Sequence, residues 1–474
     1  MKSSEKVPIN GSRSLYRKIV PVLTGLLLLL TGIAITAVMN KSGSTNEKNI
    51  MEPILKIAIV SDSQCYDVKD DWGMSNLEKA LRLLSPKKPE IIIMPGDLAD
   101  LGEYPGAFTL YKELCKKYFP YEPVQIACAG NHDLWPRDKS TSMYFLFKRF
   151  CEKLSIPEDN PYHTVIKGYD FITLSENINC NYTPELIEKL AQKLEIAAKR
   201  DDKKPIFVLT HFPPKDTMSG SSSKSGKEAL RELFNKYPNV ISISGHTHYP
   251  LEDERCLWQG EFTAFTTSTL SYGCIDENLF NTCNGILPFG REVVQALYME
   301  VFADHIEIHR YNVEDACEIK PGNVWSFNIP YNPEKPEYSI SDRALKRQAP
   351  VFADDAKLLL RYDYGFVYAV FEAAKHDDMV QYYQIEVARK DKNGVYQTCK
   401  SVKYASDFYR LQANKTKRMF FKLPDDMFIA GEPHQISVYA IESFGKKSEP
   451  LTIERTIPQD WRFRPIDRNA MPQE

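Results

Sequence analysis

From about residue 54 the chain alternates short apolar runs with longer amphipathic segments. This alternation is typical of strands that alternate with helices, and it predicts an α/β domain. The clearest predicted helix follows Thr183 and Pro184, an N-cap and first-turn pair, and carries a leucine at every fourth residue from Leu186 to Leu194. We expect this leucine stripe to pack in the core rather than to bind a cofactor.

Five of the apolar runs end in a residue that is able to bind a metal ion. Continuous apolar runs suit strands buried on both faces, and in open α/β sheets ligands bind outside the carboxyl ends of such strands. A single polar residue after a strand more often marks a turn, but five in register predict side chains that meet in one crevice. The runs are LKIAIVSD ending at Asp62, EIIIMPGD at Asp97, VQIACAGNHD with Asn131, PIFVLTH at His211 and VISISGH at His246.

Later segments predict the end of this domain and the start of another. Alternating residues at 293–301 and 305–311 predict a hairpin that closes the first domain near residue 330. Residues 331–348 are rich in proline and charge, which is typical of a linker. Residues 349–458 hold short alternating strands between turn sequences, which predicts a small all-β sandwich. Its strand spacing resembles a fibronectin type III domain.

The N-terminus has the layout of an export signal. Five basic residues precede an uncharged, leucine-rich run. A run of about twenty apolar residues matches a bilayer core, and the basic flank favours the cytoplasmic side. We expect an extracytoplasmic protein anchored in the membrane, or a secreted or periplasmic one if the signal is cleaved. The predicted segments are a basic cytoplasmic segment (1–18), a signal anchor or signal peptide (19–39), a tether (40–53), the α/β domain (54–330), the linker (331–348), the sandwich (349–458) and a tail (459–474).

Composition and charge narrow the classes of partner. Hydrophobic residues make up 43% and charged residues 26% of the chain, close to globular averages, so neither a disordered chain nor a multi-span membrane protein is indicated. A net charge of -3 gives no broad basic field, which disfavours docking of nucleic acid. The ten cysteines lack the spacing of a disulfide scaffold, and several, including Cys65 and Cys128, lie in apolar runs that predict buried thiols.

The crevice residues form a mixed set of oxygen and nitrogen donors. Such a set suits Mn, Fe or Zn. Seven donors exceed one four-coordinate ion, and Asp97, which follows Gly96, is the natural bridging carboxylate. We therefore expect two divalent ions about 3.5–4 Å apart that clamp an in-line displacement. The oxygen donors are Asp62, Gln64, Asp97 and Asn131, and the nitrogen donors are His211, His246 and His248.

The motifs DSQ, GD, GNHD, a lone histidine after a strand and GHTH occur in that order. This order resembles the calcineurin-like metallophosphoesterase family over residues 54 to about 311. The resemblance implies an α/β/β/α sandwich with metal ions at one sheet edge and hydrolysis of phosphate esters by a hydroxide that bridges the ions. It implies one ion held by Asp62, Gln64, Asp97 and His248 and another held by Asp97, Asn131, His211 and His246.

The resemblance also gives roles to the last two residues of GNHD. His132 would face the phosphoryl group and assist the leaving oxygen. Asp133 would orient the His132 imidazole, with simple loop capping as the alternative. The family usually has D-x-H, but Gln64 stands where that histidine belongs. Because a carboxamide oxygen is harder than imidazole, we expect manganese, with Fe, Zn or Mg as alternatives.

The expected function is therefore a metal-dependent phosphoesterase whose substrate is a small-molecule or lipid-linked phosphate ester. One alternative is a non-catalytic surface protein whose metal ions stabilise a binding domain and whose sandwich binds a protein or glycan. Another is a hydrolase of nucleotide pyrophosphates or lipid-linked phosphates. Aromatic residues near the motifs could stack on a base or sugar, although packing is the more common role. These residues are Tyr66, Trp135, Tyr249 and Tyr272.

Overall fold

A computed structural model of the chain describes residues 52–464 apart from 67–70, 137, 139, 177–180, 224, 276–278 and 364. The predicted basic segment and signal anchor or signal peptide, residues 1–39, lie outside the described residues. Among the residues that are described, no helix has both the length and the apolar character needed to cross a bilayer. The described residues from Pro53 onward form one compact unit.

The first part of the chain alternates strands and helices, as its sequence pattern predicts. The elements in chain order are β1 (Leu55–Ile59), α1 (Trp72–Leu84), β2 (Ile91–Pro95), α2 (Pro105–Tyr118), β3 (Val124–Cys128), α3 (Met143–Leu154), β4 (Tyr162–Ile166), β5 (Tyr169–Leu174), α4 (Pro184–Arg200), β6 (Ile206–Thr210), α5 (Glu228–Phe234), β7 (Val240–Ser244), β8 (Leu257–Gln259), β9 (Thr263–Thr266), β10 (Gln295–Val301), β11 (His305–Asn312), β12 (Cys317–Glu318) and β13 (Trp325–Asn328).

The later elements are mostly strands. They are α6 (Ile340–Lys346), β14 (Leu358–Asp363), β15 (Phe366–Glu372), β16 (Val380–Lys390), β17 (Tyr396–Ala405), β18 (Arg418–Leu423), β19 (Pro433–Glu442) and β20 (Leu451–Thr456). The five apolar runs that end in predicted ligands are thus the strands β1, β2, β3, β6 and β7.

Two sheets and their helices build the first domain. One sheet has the order β12-β11-β10-β1-β2-β3, with β13 beside β11, and the other has the order β4-β5-β6-β7-β9-β8. Ile57 and Phe207 belong to the apolar layer between the sheets. On the outer faces, Ile92 packs with Leu77 of α1, and Leu190 of α4 packs on the second sheet. These four layers confirm the predicted α/β/β/α architecture.

The predicted helix and hairpin are both present. Thr183 caps α4, since its Oγ1 accepts a 3.3 Å hydrogen bond from the Leu186 N–H, and Leu194 is fully buried. Strand β10 pairs antiparallel with β11 on one side and with β1 on the other. The hairpin therefore adds strands to the sheet that carries the first predicted ligands.

The C-terminal strands form two antiparallel sheets, with the orders β14-β15-β18 and β17-β16-β19-β20. Val367, Ile385 and Val438 belong to the apolar core formed by these strands. This all-β character agrees with the predicted fold class, and the resemblance to a fibronectin type III domain stays a prediction. The cysteines in the described residues carry free thiols, and Cys65 and Cys128 are buried, as expected of small apolar side chains.

The segment predicted as a linker, residues 331–348, is packed on the first domain. It contains α6, whose Arg343 donates hydrogen bonds to the carbonyl oxygens of Glu254 (2.6 Å) and Leu257 (2.7 Å). The Tyr338 side chain packs against the core between the sheets. Proline and charge are typical of a linker. In the structure, however, the Arg343 side chain is held by carbonyl oxygens of the first domain, which are far away in the sequence.

Candidate metal centre

Four of the predicted ligands lie together in one cluster. The Nε2 atom of His211 is 3.1 Å from Asp97 Oδ2, 3.1 Å from Asn131 Oδ1 and 3.2 Å from His246 Nδ1. Ligand atoms of Asp97, His211 and His246 all lie within 4.8 Å of one another. These residues follow β2, β3, β6 and β7, so the fold brings together groups that are far apart in the sequence.

The remaining predicted ligands adjoin this cluster. His248 Nε2 lies 3.1 Å from Asp62 Oδ1, which also accepts a 2.9 Å hydrogen bond from the His246 N–H. The Gln64 N–H donates to the Asp97 carbonyl oxygen at 2.9 Å. The Gln64 Oε1 atom accepts a 2.8 Å hydrogen bond from Ser271 Oγ. Asp62 thus contacts both histidines of the GHTH motif, and Gln64 contacts the backbone of Asp97.

Most of these ligands have an unusual backbone conformation. Residues other than glycine seldom adopt positive φ, and such strain is concentrated at functional sites. A left-handed residue reverses the chain directly after a strand, which keeps the residue near the sheet edge. The φ angles are 51° for Asp62, 46° for Gln64, 56° for Asp97, 66° for His246 and 53° for His248.

Glycines in the motifs make room for the ligands. A Cβ atom at Gly130 would lie 2.2 Å from Asp97 Oδ1, and one at Gly245 would lie 2.5 Å from Asp62 Oδ2. Both distances are well below van der Waals contact, so only glycine allows the backbone to approach the carboxylates this closely. The close approach of Asp97 and Asp62 therefore explains why the GNHD and GHTH motifs have glycine at these two positions.

The arrangement fits divalent cations. The Asp62 Oδ2 atom is buried and has no hydrogen-bond partner in the described part of the chain, which is costly for a carboxylate that binds no cation. His211 Nδ1 and His248 Nδ1 contact the carbonyl oxygens of Pro95 (2.9 Å) and Tyr272 (2.7 Å). Such contacts fix the ring tautomer and leave Nε2 available as a ligand.

Comparison with known proteins identifies the domain. The family model of the calcineurin-like phosphoesterases matches residues 55–250, which include all seven predicted ligands. These residues form a calcineurin-like phosphoesterase domain. A Ruthia magnifica protein named "Probable cyclic nucleotide phosphodiesterase" is 27% identical over 206 residues, which are 41% of this chain and 79% of that protein.

Solved structures similar to the phosphoesterase domain include two phosphatases. A dimetal phosphatase from Danio rerio has 10% identity and a TM-score of 0.41, over 59% of this chain and 100% of its own. A purple acid phosphatase from yellow lupin has 11% identity and a TM-score of 0.42, over 58% of this chain and 53% of its own.

Three of the predicted ligands shift one another's pKa values. Although burial opposes the shift, the Asp97 carboxylate raises the pKa of His211 to about 10. Burial also opposes the effect of His211 on Asp97, whose pKa is nevertheless lowered. Burial and the adjacent His211 lower the pKa of His246 well below its usual value. In the metal-free protein His211 is therefore protonated beside the ionised Asp97 while His246 is neutral, so a cation bound at His211 Nε2 would displace its proton.

The Asp133 carboxylate binds backbone N–H groups of the two loops that carry Asp97 and Asn131. It is fully buried, and its oxygens accept hydrogen bonds from the N–H groups of Asp97 (2.8 Å), Ala99 (2.9 Å) and Gly130 (3.0 Å). Burial and the charge of Asp97 raise the pKa of Asp133 to about 7, although the N–H donors favour the ionised form. The expectation that Asp133 orients His132 is therefore corrected, because both carboxylate oxygens are taken by backbone donors, as in the loop-capping alternative.

Asp100, which sequence reasoning missed, holds the His132 ring instead. His132 Nδ1 lies 2.7 Å from the Asp100 carbonyl oxygen and 3.7 Å from its Oδ1. The His132 N–H donates to Asp97 Oδ1 at 2.9 Å, and its ring meets Trp135 edge-on with centroids 5.3 Å apart. Asp100 lies three residues after Asp97 in the same loop. A second aspartate in the sequence GDLAD is the feature that could have identified it.

Glu176 is a second residue that sequence reasoning missed. It lies just after β5, the parallel neighbour of the β6 strand that precedes His211. Neither of its carboxylate oxygens has a hydrogen-bond partner among the described residues, and the side chain is buried. Burial raises the pKa of Glu176 to about 8, with the charge of His211 opposing. The run YDFITLSE ends in a residue able to bind a metal ion, as the other five runs do, so the same pattern could have identified Glu176.

The aromatic residues near the motifs differ in exposure. Tyr249 is only 3% exposed and packs in the core, the more common role of such residues. Tyr66 and Trp135 are 44% and 54% exposed. The Tyr272 ring lies 4.5 Å from the His248 ring, which places Tyr272 directly beside the predicted ligands.

Proposed function

We propose that this chain hydrolyses phosphate esters with the help of two divalent cations. The observation that carries the proposal is the contact between the two ligand groups, in which Asp62 Oδ1 accepts from the His246 N–H while lying 3.1 Å from His248 Nε2. The first cation would be held by Asp62, Gln64, Asp97 and His248, and the second by Asp97, Asn131, His211 and His246.

The chemistry divides between the cations and the side chains. When bound, two such cations neutralise charge on the phosphoryl oxygens and make a shared water acidic. His132 is fixed by Asp97 through its backbone and by Asp100 through Nδ1, which leaves Nε2 to exchange a proton with the leaving oxygen. Asp133 keeps the loop residues Asp97 and Gly130 in place without touching the substrate.

Manganese and a phosphodiester are the metal and substrate we favour. The Gln64 carboxamide is a hard oxygen donor, and Ser271 already fixes its Oε1. The name of the Ruthia magnifica relative supports a diester, and small-molecule and lipid-linked esters share the same phosphoryl chemistry. The net charge of -3 does not support nucleic acid as a docked partner.

Anchoring in the membrane through residues 19–39 is part of the proposal. The apolar run and its basic flank would place the phosphoesterase domain outside the cytoplasm. A tag on the C-terminus of the full-length protein should be accessible to protease added outside the cytoplasmic membrane. A tag that stays protected until the membrane is lysed would contradict this placement.

Hydrolysis assays with a ligand variant test the catalytic proposal. The full-length protein, stripped of metal and resupplied with Mn²⁺, should hydrolyse p-nitrophenyl esters of phosphate. Asp97→Asn should reduce turnover by about a hundredfold or more, because Asp97 belongs to both ligand sets. Equal inactivity of both proteins across mono- and diesters, despite Mn²⁺ binding by the wild type, would instead favour the non-catalytic binding protein.

A further inference from the structure

A hollow of 590 Å³ adjoins the candidate metal centre. Its lining reaches the ligands through Tyr272, whose carbonyl oxygen lies 2.7 Å from His248 Nδ1. Cavities of several hundred cubic ångströms hold small organic groups. A phosphate ester whose phosphoryl group lay at the ligands could therefore place its substituent here. The lining residues are Tyr272, Ile286, Phe289, Gly290, Arg291 and Glu292.

The hollow combines aromatic rings with a cation. Tyr272 and Phe289 contribute rings, and the exposed Arg291 contributes a guanidinium. This guanidinium lies 5.8 Å from the ring of Trp72, which donates from Nε1 to the Ser271 carbonyl oxygen at 3.4 Å. Flat aromatic faces beside a cation suit a planar, electron-rich group.

Phe289 has an unfavourable backbone conformation. Its φ of 56° lies in the left-handed region, where a bulky side chain is rare, and its ring is 68% exposed. The turn is fixed around it, because the Gly290 carbonyl oxygen accepts from the Gly273 N–H at 2.8 Å and the Gly290 N–H donates to Leu287 at 2.9 Å. Strain of this kind persists where surrounding contacts impose it, often at ligand clamps.

Further contacts to this turn come from the loop between β17 and β18 of the C-terminal sheets. Arg410, between β17 and β18, lies 4.0 Å from the Phe289 ring and donates two hydrogen bonds of 2.8 Å to the Glu292 carboxylate. Glu292 also accepts from the Leu411 N–H at 3.0 Å, and the Tyr409 hydroxyl donates to the Pro288 carbonyl oxygen at 2.6 Å. A bidentate arginine–carboxylate pair fixes geometry as well as contact.

We propose that this hollow binds the organic substituent of the substrate, a planar aromatic group stacked on Phe289, and that Arg410 is a positioning residue that holds the hollow in shape. The inference rests on the proposed function and deepens it. It gives the C-terminal sheets a role in substrate recognition. Because Arg410 contacts none of the predicted ligands, its loss should raise KM and leave kcat nearly unchanged.

Two diesters with the same leaving group test the inference. Phenyl p-nitrophenyl phosphate and methyl p-nitrophenyl phosphate differ only in the second substituent, which is aryl in one and methyl in the other. The wild type with Mn²⁺ should show a KM about fivefold lower for the aryl diester, as one stacking contact provides. Phe289→Gly tolerates the left-handed backbone and removes the ring, so it should abolish this preference without lowering Tm.

Arginine variants separate positioning from folding. Arg410→Ala should raise KM for the aryl diester as Phe289→Gly does, and Arg410→Lys should restore part of the preference because it keeps the charge but not the bidentate pair. Arg418→Ala is the matched control, since Arg418 pairs with Glu372 at 3.2 Å within the C-terminal sheets. Phe463→Ala is the control for an exposed ring. Both controls should keep the preference.

A measurement without turnover complements the kinetics. Calorimetry should show tighter binding of phenylphosphonate than of methylphosphonate to the wild type with Mn²⁺, and equal binding of both to Phe289→Gly. Equal KM values for the two diesters in the wild type, or a preference retained in Phe289→Gly and Arg410→Ala, would overturn the inference. Failure of the wild type to hydrolyse either diester with Mn²⁺ would instead count against the proposed function.

Discussion

The Asp133 carboxylate accepts a 2.8 Å hydrogen bond from the backbone N–H of Asp97. Asp97 is the ligand predicted to bridge both cations, and its φ of 56° needs external support. Asp133 provides that support from a fully buried position. Groups that orient ligands in this way matter to a metal site although they do not bind the metal.

Replacing Asp133 by asparagine should destabilise the protein. An amide has one oxygen for three N–H donors, so at least one donor would face the amide NH2 group. We expect Asp133→Asn to lower the free energy of unfolding by about 1–3 kcal/mol, measured by urea denaturation. The exposed Asp202→Asn is the matched control. Unchanged stability together with a shifted pH–rate profile would restore the role of Asp133 in orienting His132.

His132 should act in turnover and not in metal binding. Its contacts with Asp97 and Asp100 hold it beside the ligands, but it belongs to neither ligand set. His132→Ala should lower kcat by about 10²–10⁴-fold, the usual contribution of a general acid or base. Metal content measured by mass spectrometry should stay at the wild-type level. Loss of bound metal in this variant would make His132 a ligand.

Gln64 should determine the metal preference. Imidazole is a softer donor than the carboxamide it would replace. Gln64→His should therefore raise the ratio of bound zinc or iron to manganese when the metals are offered together. Gln64→Asn, which keeps a carboxamide on a shorter side chain, should not raise that ratio. Equal ratios in the wild type and Gln64→His would show that Gln64 does not select the metal.

Local pattern was sufficient for the strands and for the residues at their ends. The apolar runs before Asp97 and His211 are continuous because both faces of those strands are covered, and this leaves a direct trace in the sequence. The hydrogen bond between Asp133 and Asp97 and the contact between Arg410 and Phe289 leave no such trace. Both contacts join residues that are far apart in the sequence and meet only in the folded protein, so neither periodicity nor motif spacing predicts them.

Glu254 should make stability depend on pH in acid. It accepts hydrogen bonds from Arg310 (2.9 Å), Lys320 (3.0 Å) and Trp325 (2.8 Å). Burial would raise its pKa, but Lys320 and Arg310 lower it from 4.5 to about 2. Because the folded pKa is depressed, the stabilisation is present above pH 4.5 and is lost as the pH falls towards 2.

A shift of this size corresponds to about 3 kcal/mol. Glu254→Gln should lose a comparable amount at neutral pH and should flatten the fall of the urea midpoint in the acid range. The exposed Glu432→Gln should reproduce the wild-type curve. Parallel curves for the wild type and Glu254→Gln would contradict the role given to this carboxylate.

Titration of the metal-free, full-length protein with Mn²⁺ in a calorimeter measures whether the seven side chains bind two cations. We expect two bound ions per chain in the wild type and weakened binding of both in Asp97→Asn, because Asp97 belongs to both ligand sets. A wild-type protein that binds no Mn²⁺, or an Asp97→Asn variant that binds two ions with unaltered affinity, would contradict this expectation.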